Sequence, residues 1–394
     1  MTIAPEGDGP EGPGPMTVAL VIRSLDDGGA QRQLYNLAAG LHRRGDRVVV
    51  LSHFPGGRFA DALRADGVEV DDLGRGARTD PRYVLRLLGK LRAVAPDLVA
   101  CYLVDSNILG LIERVTSPRA PVVLGIRSDA PNRHAGSRIG RALPTLERRL
   151  ARLADAVVVN SHRGERYLVE HGYPARLVHE VDNGIDIDAF RPDPARRAVT
   201  RAAWRVEDGE RLVGFVGRRH PQKGIPILLE AARRVADRDP SVRFVLIGKA
   251  TDRGYAGELS AQASSLGLVP PLLTWLDSYP EMPAAYNAFD LLVNSSYSEG
   301  LANCVAEALA CGTPCVVTDV GDSARLVGDP RRVVGPGRAG ALADAVLAAL
   351  EEAPAPGELR ARALPYDLET MVDRTRRVYV DVLERRAHLR GVGV

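Results

Sequence analysis

Short apolar runs recur along this chain and alternate with stretches whose apolar residues follow the stripe of a helix. Thr17 to Arg23 is an apolar run suited to a buried parallel strand, and Leu34, Leu37, Ala38 and Leu41 then repeat at i, i+3, i+4 and i+7. Arg47 to Leu51 follows as a second strand and closes a βαβ unit. Further runs at Leu98 to Tyr102, Val122 to Gly125, Ala156 to Asn160 and Leu177 to Val181 alternate with helical stretches. This predicts a parallel sheet covered on both faces. After the turn-rich Asp182-Asn183-Gly184 and the proline-containing Arg191 to Pro194, the pattern restarts. Strands are predicted at Leu212 to Gly217, Val242 to Gly248, Leu272 to Leu276, Leu291 to Asn294 and Pro314 to Thr318, with helices such as Ile225 to Ala236 and Ala302 to Ala310 between them. The fold class is therefore α/β, with two Rossmann-like, doubly wound parallel-sheet domains whose strand ends face a central cleft. The expected boundaries are a disordered leader at 1–15, a first domain at 16–190, a second at 191–366 and a C-terminal helix within 367–394 that is free to pack across the junction. Met16 offers an alternative start.

Composition narrows the function classes. The chain has 394 residues, with 52 basic against 50 acidic ones and 45% hydrophobic ones. That balance fits a folded globular protein and argues against a nucleic-acid-binding surface. Cys101, Cys304, Cys311 and Cys315 form no CxxC pair, so neither a disulfide scaffold nor a thiolate metal site is expected, and a reducing cytoplasm fits. No apolar run reaches the ~18 residues of a membrane span, and the start lacks a secretory pattern. Among the 52 basic residues only Lys90, Lys223 and Lys249 are lysines. A lysine kept in so arginine-biased a chain marks a place where a compact ammonium is needed.

Lys223 closes the segment Gly217-Arg218-Arg219-His220-Pro221-Gln222-Lys223-Gly224, between a strand and a helix. Arg218 and Lys223 put a guanidinium and an ammonium on one loop beside a helix N-terminus, a combination that can neutralise a diphosphate without a metal ion. Arg219 and His220 read as surface residues. A second constellation, Ser298 to Glu307, holds Glu299 and Glu307 eight residues apart. If that stretch is mostly helical, it separates them by about 12 Å, the span of a nucleotide sugar. The amides of Gly300, Leu301, Ala302 and Asn303 can then hold phosphates while the carboxylates grip sugar and ribose hydroxyls. In the first domain, Gly28-Gly29 allows close backbone approach to a phosphate across the cleft, but without a full Gly-x-Gly-x-x-Gly pattern a dinucleotide dehydrogenase is disfavoured. Asp186-Ile187-Asp188 has an Asp-x-Asp form, with local turn hydrogen bonding as its plainer reading. No metal is called for.

Together these residues resemble family 4 of the glycosyltransferases, retaining enzymes of GT-B architecture. Gly28-Gly29-Ala30, Asp182-Asn183-Gly184-Ile185-Asp186 and Glu307 to Pro314 add to the likeness, which runs from Met16 onward. Gly125 to Ser128, Asn160-Ser161, Tyr286 to Asp290 and Thr318 to Ala324 look like a bacterial branch associated with cell-surface or exopolysaccharide assembly. The resemblance implies that Arg218 and Lys223 bind the donor diphosphate, backed by Gly217, with Glu299 on the sugar, Glu307 on the ribose and Gly29 approaching from the opposite domain. Many relatives carry a histidine where this chain has Arg127, proline where it has Ala302 and valine where it has Cys304. It further implies a nucleoside-diphosphate sugar, UDP first, as co-substrate with no separate cofactor, an acceptor hydroxyl, front-face attack, and a last helix returning to the first domain. Asp105, Arg127 and Asp129 are the acceptor-side candidates, against a reading of the two aspartates as loop residues. Residues 133–152 carry six arginines against one glutamate, which could dock on anionic lipid at the inner membrane face or form a solvated helix face. Alternatives are a glycosyltransferase of secondary metabolism, a GT-B phosphorylase or epimerase, and a non-catalytic nucleotide-sugar-binding subunit.

Overall fold

The computed structural model describes residues 14–26, 28–74, 82–116, 119–127, 138–352 and 354–391. The first sheet contains β1 (Thr17–Ile22), β2 (Arg47–Ser52), β3 (Glu69–Asp72), β4 (Leu98–Tyr102), β5 (Val122–Ile126), β6 (Ala156–Val159) and β7 (Val178–Glu180). The second contains β8 (Arg211–Val216), β9 (Val242–Ile247), β10 (Leu273–Leu276), β11 (Leu291–Asn294), β12 (Cys315–Thr318) and β13 (Val333–Val334). Their orders are β3-β2-β1-β4-β5-β6-β7 and β10-β9-β8-β11-β12-β13, with every pairing parallel. The cause is visible in β1, where Val18, Leu20 and Ile22 enter one buried cluster and Ala19 and Val21 the cluster on the opposite face. A strand apolar on both sides must be covered on both sides.

Two strands escape the apolar-run criterion. β3 reads Glu-Val-Asp-Asp and lies at a sheet edge, where charge protects against unwanted pairing. β13 is the two-residue edge of the second sheet.

Strand order reverses between β1 and β4 and again between β8 and β11, the points where doubly wound sheets open a crevice at their carboxyl ends. The candidate residues follow these strands. Gly29 starts the helix after β1, Asp105 lies in the helix after β4, Gly217 follows β8 and Glu299 follows β11.

The last helix, Leu368–Gly391, packs on the first domain. Its Met371, Val372, Val378, Tyr379 and Val382 are buried in the first domain's core. Gly40 makes the fit possible, since a Cβ there would meet Val372 Cγ2 at 2.5 Å. Ile185 and Asp367, from the two passages between domains, pair in a parallel bridge, with Ile185 N donating to Tyr366 O at 2.7 Å and Leu368 N donating to Ile185 O at 3.0 Å.

The candidate active site at the cleft

On the second-domain side, the loop after β8 and the loop after β11 are sewn together. Gln222 Nε2 donates to Ser298 O (2.8 Å), Tyr297 N to Gln222 O (2.8 Å) and Ser295 Oγ to Lys223 O (2.9 Å). Gly224 permits this contact: its φ is +61°, and a Cβ would lie 2.1 Å from Ser295 O. Lys223 Nζ is thereby held against Glu299 Oε1 at 2.5 Å, with only 18% and 11% of the two side chains exposed. Ser296 Oγ (2.6 Å) and Asn294 Nδ2 (3.5 Å) donate to the same oxygen. Oε2 of Glu299 has no partner among the described residues. Burial alone would raise the Glu299 pKa, but Lys223 and these donors more than offset it, leaving the carboxyl below its ordinary range. Burial likewise works against the Lys223 ammonium, and Glu299 reverses the balance upward. Both groups are charged at neutral pH.

Arg218 is exposed, close enough to Lys223 to disfavour its charge, and makes no side-chain hydrogen bond or ion pair among the described residues. Arg219 does not belong to the surface as expected. Its guanidinium pairs with Asp277, donates from Nε to Gly248 O at 2.8 Å and lies over the Trp275 ring, so it clamps β8, β9 and β10. Gly217 packs beside Phe215 and Lys223.

The helix after β11 is Asn303–Ala310, within one residue of the predicted Ala302 start. Leu301 and Ala302 are buried in the core, and Gly300 O accepts from Asp322 N at 3.0 Å, so this part is a packed turn. Of the stretch between the glutamates, residues 300–302 are thus non-helical and only the part from Asn303 is helix. Glu307 is 3% exposed. Its Oε2 accepts from Tyr286 Oη at 2.7 Å, and its Oε1 pairs with Arg32 from the first domain.

The first domain meets this helix directly. A Cβ on Gly29 would lie 3.4 Å from Asn303 Nδ2, so the glycine sits against the start of that helix. Asn183, where the chain passes between domains, is the hub: Nδ2 donates to Asn303 Oδ1 (2.7 Å) and Leu301 O (3.4 Å). Its Oδ1 accepts from Arg127 Nη1 (3.2 Å) and Asn160 Nδ2 (3.3 Å). Arg127 lies over the Tyr102 ring at 4.6 Å and makes no ion pair among the described residues. Asp105 is spoken for by Arg23 at 3.0 Å. Asp129 and the start of the arginine-rich segment lie outside the described residues.

Asp186 follows its plainer reading, its Oδ1 accepting from Asp188 N and Ala189 N. Two carboxylate-containing groups, His162/Glu165/Glu180 and Glu180/Asp182/Asp322, lie at the domain junction and include no candidate residue. Arg325 already pairs with Glu180, Asp182 and Asp322.

Sequence reasoning missed Arg32, Tyr286 and the linking role of Asn183. The Asn183-Gly184 step at the domain crossing was the available signal for Asn183, and Tyr286 stood out only as part of the Tyr286 to Asp290 motif; neither its contact with Glu307 nor that of Arg32 has a signature in the sequence.

Two parallel-sheet domains with this site between them define the GT-B architecture. Residues 27–189 match the family described as Glycosyltransferase Family 4, and residues 210–352 match that described as Glycosyl transferases group 1. A D-inositol 3-phosphate glycosyltransferase of Segniliparus rotundus is 34% identical over 187 residues, 46% of this chain and 41% of that protein. A protein of the same name from Mycobacterium tuberculosis is 36% identical over 173 residues, 43% of this chain and 35% of that protein. The matched stretches therefore span well under half of these relatives. Among solved structures, Anabaena Alr3699/HepE in complex with UDP and glucose superposes with a TM-score of 0.81 at 23% identity, covering 92% of this chain and 98% of that one. Sucrose-phosphate synthase from Thermosynechococcus elongatus gives 0.79 at 20% identity, covering 94% and 100%. The chain belongs to the family 4 glycosyltransferases.

Proposed function

We propose that this chain transfers a sugar from a nucleoside-diphosphate sugar, UDP-linked in the first instance, to an acceptor hydroxyl with retention at the anomeric carbon. The observation that carries the reading is the cation pair: Arg218 exposed and unpaired among the described residues, beside Lys223, which Glu299 and the surrounding loops hold in place. As the glycosidic bond breaks, negative charge builds on the departing diphosphate. Cations fixed before the reaction stabilise that charge more in the transition state than in the ground state. The loop supplies the charge that a divalent ion would otherwise bring, so the reading includes no metal.

Glu299 accepts three hydrogen bonds on Oε1, which suits a carboxylate that orients sugar hydroxyls through Oε2 rather than one that attacks carbon. Front-face attack, with the diphosphate taking the acceptor's proton, follows for a retaining reaction without a protein nucleophile. Glu307 takes the ribose hydroxyls. UDP is favoured as carrier because the structurally similar Anabaena protein is solved with UDP and glucose.

On the acceptor side, the relatives named for D-inositol 3-phosphate make a phosphorylated polyol the second reading beside a cell-surface or exopolysaccharide acceptor. Arg127, half-buried and without an ion pair among the described residues, favours it, because a desolvated cation is best matched by an anion. Peripheral contact with anionic lipid through exposed Arg148 and Arg149 beside exposed Leu146 belongs to the lipid-linked version. No described helix is long and apolar enough to cross a membrane.

A thermal-shift panel of UDP, GDP, TDP and their sugars tests the donor. UDP and a UDP-sugar are expected to raise Tm most; no shift from any nucleotide would overturn the reading.

A further inference from the structure

Glu307 is the one donor-side carboxylate whose ionisation is governed from the other domain. Arg32 lies in the helix Gly29–Arg43, three residues beyond the glycine that touches the Asn303 helix. It reaches across the cleft to Glu307 Oε1, while Tyr286 Oη holds Oε2. The other titratable groups facing Glu307 are Cys304 and Cys311 of its own helix, thiols that burial pushes up to about 11 and about 12. Arg32 is therefore the only cation on this carboxylate among the described residues. Burial raises the Glu307 pKa, and Arg32 and Tyr286 only partly counter it.

We propose that Arg32 is a positioning residue for the donor: from the first domain it places a positive charge on Glu307 Oε1 and fixes the carboxylate's orientation, so that both domains contribute to the grip on the nucleotide end of the donor. The inference rests on the donor reading above, in which Glu307 receives the ribose. A carboxylate accepts about four hydrogen bonds, so two remain for the ribose hydroxyls beside those from Arg32 and Tyr286. A protonated Glu307 would lose acceptor capacity and bind the ribose less well. This arrangement makes the first domain a participant in nucleotide affinity through one side chain that need not touch the nucleotide itself.

The test is calorimetric titration of UDP into the full chain between pH 6 and 8, comparing wild type, Arg32→Gln and Arg32→Lys. Glutamine removes the charge and lets the Glu307 pKa climb. UDP affinity of Arg32→Gln is expected to fall on the order of tenfold at pH 7 and to worsen as pH drops, by up to about tenfold per unit and more steeply than that of wild type. Arg32→Lys keeps a cation and is expected to recover most of the affinity and the shallower wild-type profile, which also covers the case in which the glutamine variant fails to fold. Unchanged affinity in the variants would overturn the proposal. So would tighter UDP binding, which would mean that Arg32 competes with the nucleotide for Glu307. An equal loss at every pH would reduce Arg32 to a structural contact and overturn it too. Failure of wild type to bind any nucleoside diphosphate would instead sink the donor reading, and the two failures are separable in the same experiment.

Discussion

The second domain's edge of the cleft and the first domain's edge are organised on different plans. In the second, Lys223, Glu299, Ser296 and Asn294 hold one another inside a single domain, and the two loops that carry them are joined by backbone bonds. In the first, Gly29 and Arg32 find their partners across the gap, and Arg127 rests on Asn183 at the domain crossing. A group satisfied within its own domain is preorganised whether the cleft is open or shut. A group satisfied from the other side is organised only on closure. On the proposed reading, the donor's diphosphate meets a site held within one domain, and the nucleotide and acceptor ends meet groups whose partners lie in the other domain or at the crossing.

The largest expected effect comes from breaking the rigid half. Lys223→Ala removes the cation proposed to stabilise the departing diphosphate and strands Glu299 in a mostly buried position. We expect kcat/KM to drop on the order of 10²–10³-fold and the melting temperature to fall. Lys223→Arg should not restore the rate, because a planar fork does not fit the place of a compact ammonium.

Gly224→Ala tests the same half through its backbone. At φ +61° and with Ser295 O where the methyl would go, the substitution is expected to cost about 1–3 kcal/mol in denaturant unfolding. A neutral result would mean that the two loops are not pressed together.

The first domain also carries a misfit of its own. Glu147 is buried with Asn107 as its hydrogen-bond donor, and burial pushes its pKa up from 4.5 to about 7. A carboxyl whose pKa is raised on folding favours the folded state below its ordinary pKa, and that contribution is lost as pH climbs through 4.5 to about 7. Glu147→Gln stays neutral throughout. It should be more stable than wild type at pH 8 by on the order of 2 kcal/mol and no more stable at pH 4.5. The smallest effect is expected at Asp186, which caps a turn: Asp186→Asn should leave activity, with or without a chelator, within twofold of wild type and stability within about 0.5 kcal/mol. A strict manganese requirement lost in this variant would revive the Asp-x-Asp reading.

Much of this contrast was legible in the sequence, for a physical reason. Arg218 and Lys223 share a loop, and Glu299 and Glu307 flank a turn and helix start, so local spacing carried the donor half. The strands came from apolar runs covered on both faces, which is why polar β3 and two-residue β13 were missed. The packed turn at 300–302 had no local signal, because Leu301 and Ala302 are drawn into the core and Gly300 O is used by Asp322, a contact from a later element. Arg32 and Tyr286 meet Glu307 from 275 and 21 residues away, and neither spacing has a signature in the chain. Asp105, a loop residue on its plainer reading, lies instead in the first turn of the helix Leu103–Thr116 and pairs with Arg23.

The account stands on the loop between β8 and its helix receiving the diphosphate. The most direct measurement is calorimetric titration of UDP against UMP and uridine with wild type and Arg218→Ala. If the loop holds the β-phosphate, wild type should favour UDP over UMP by at least about tenfold, and Arg218→Ala should erase most of that margin while leaving uridine binding as it was. An undiminished preference for UDP in the variant would place the diphosphate elsewhere and contradict the account.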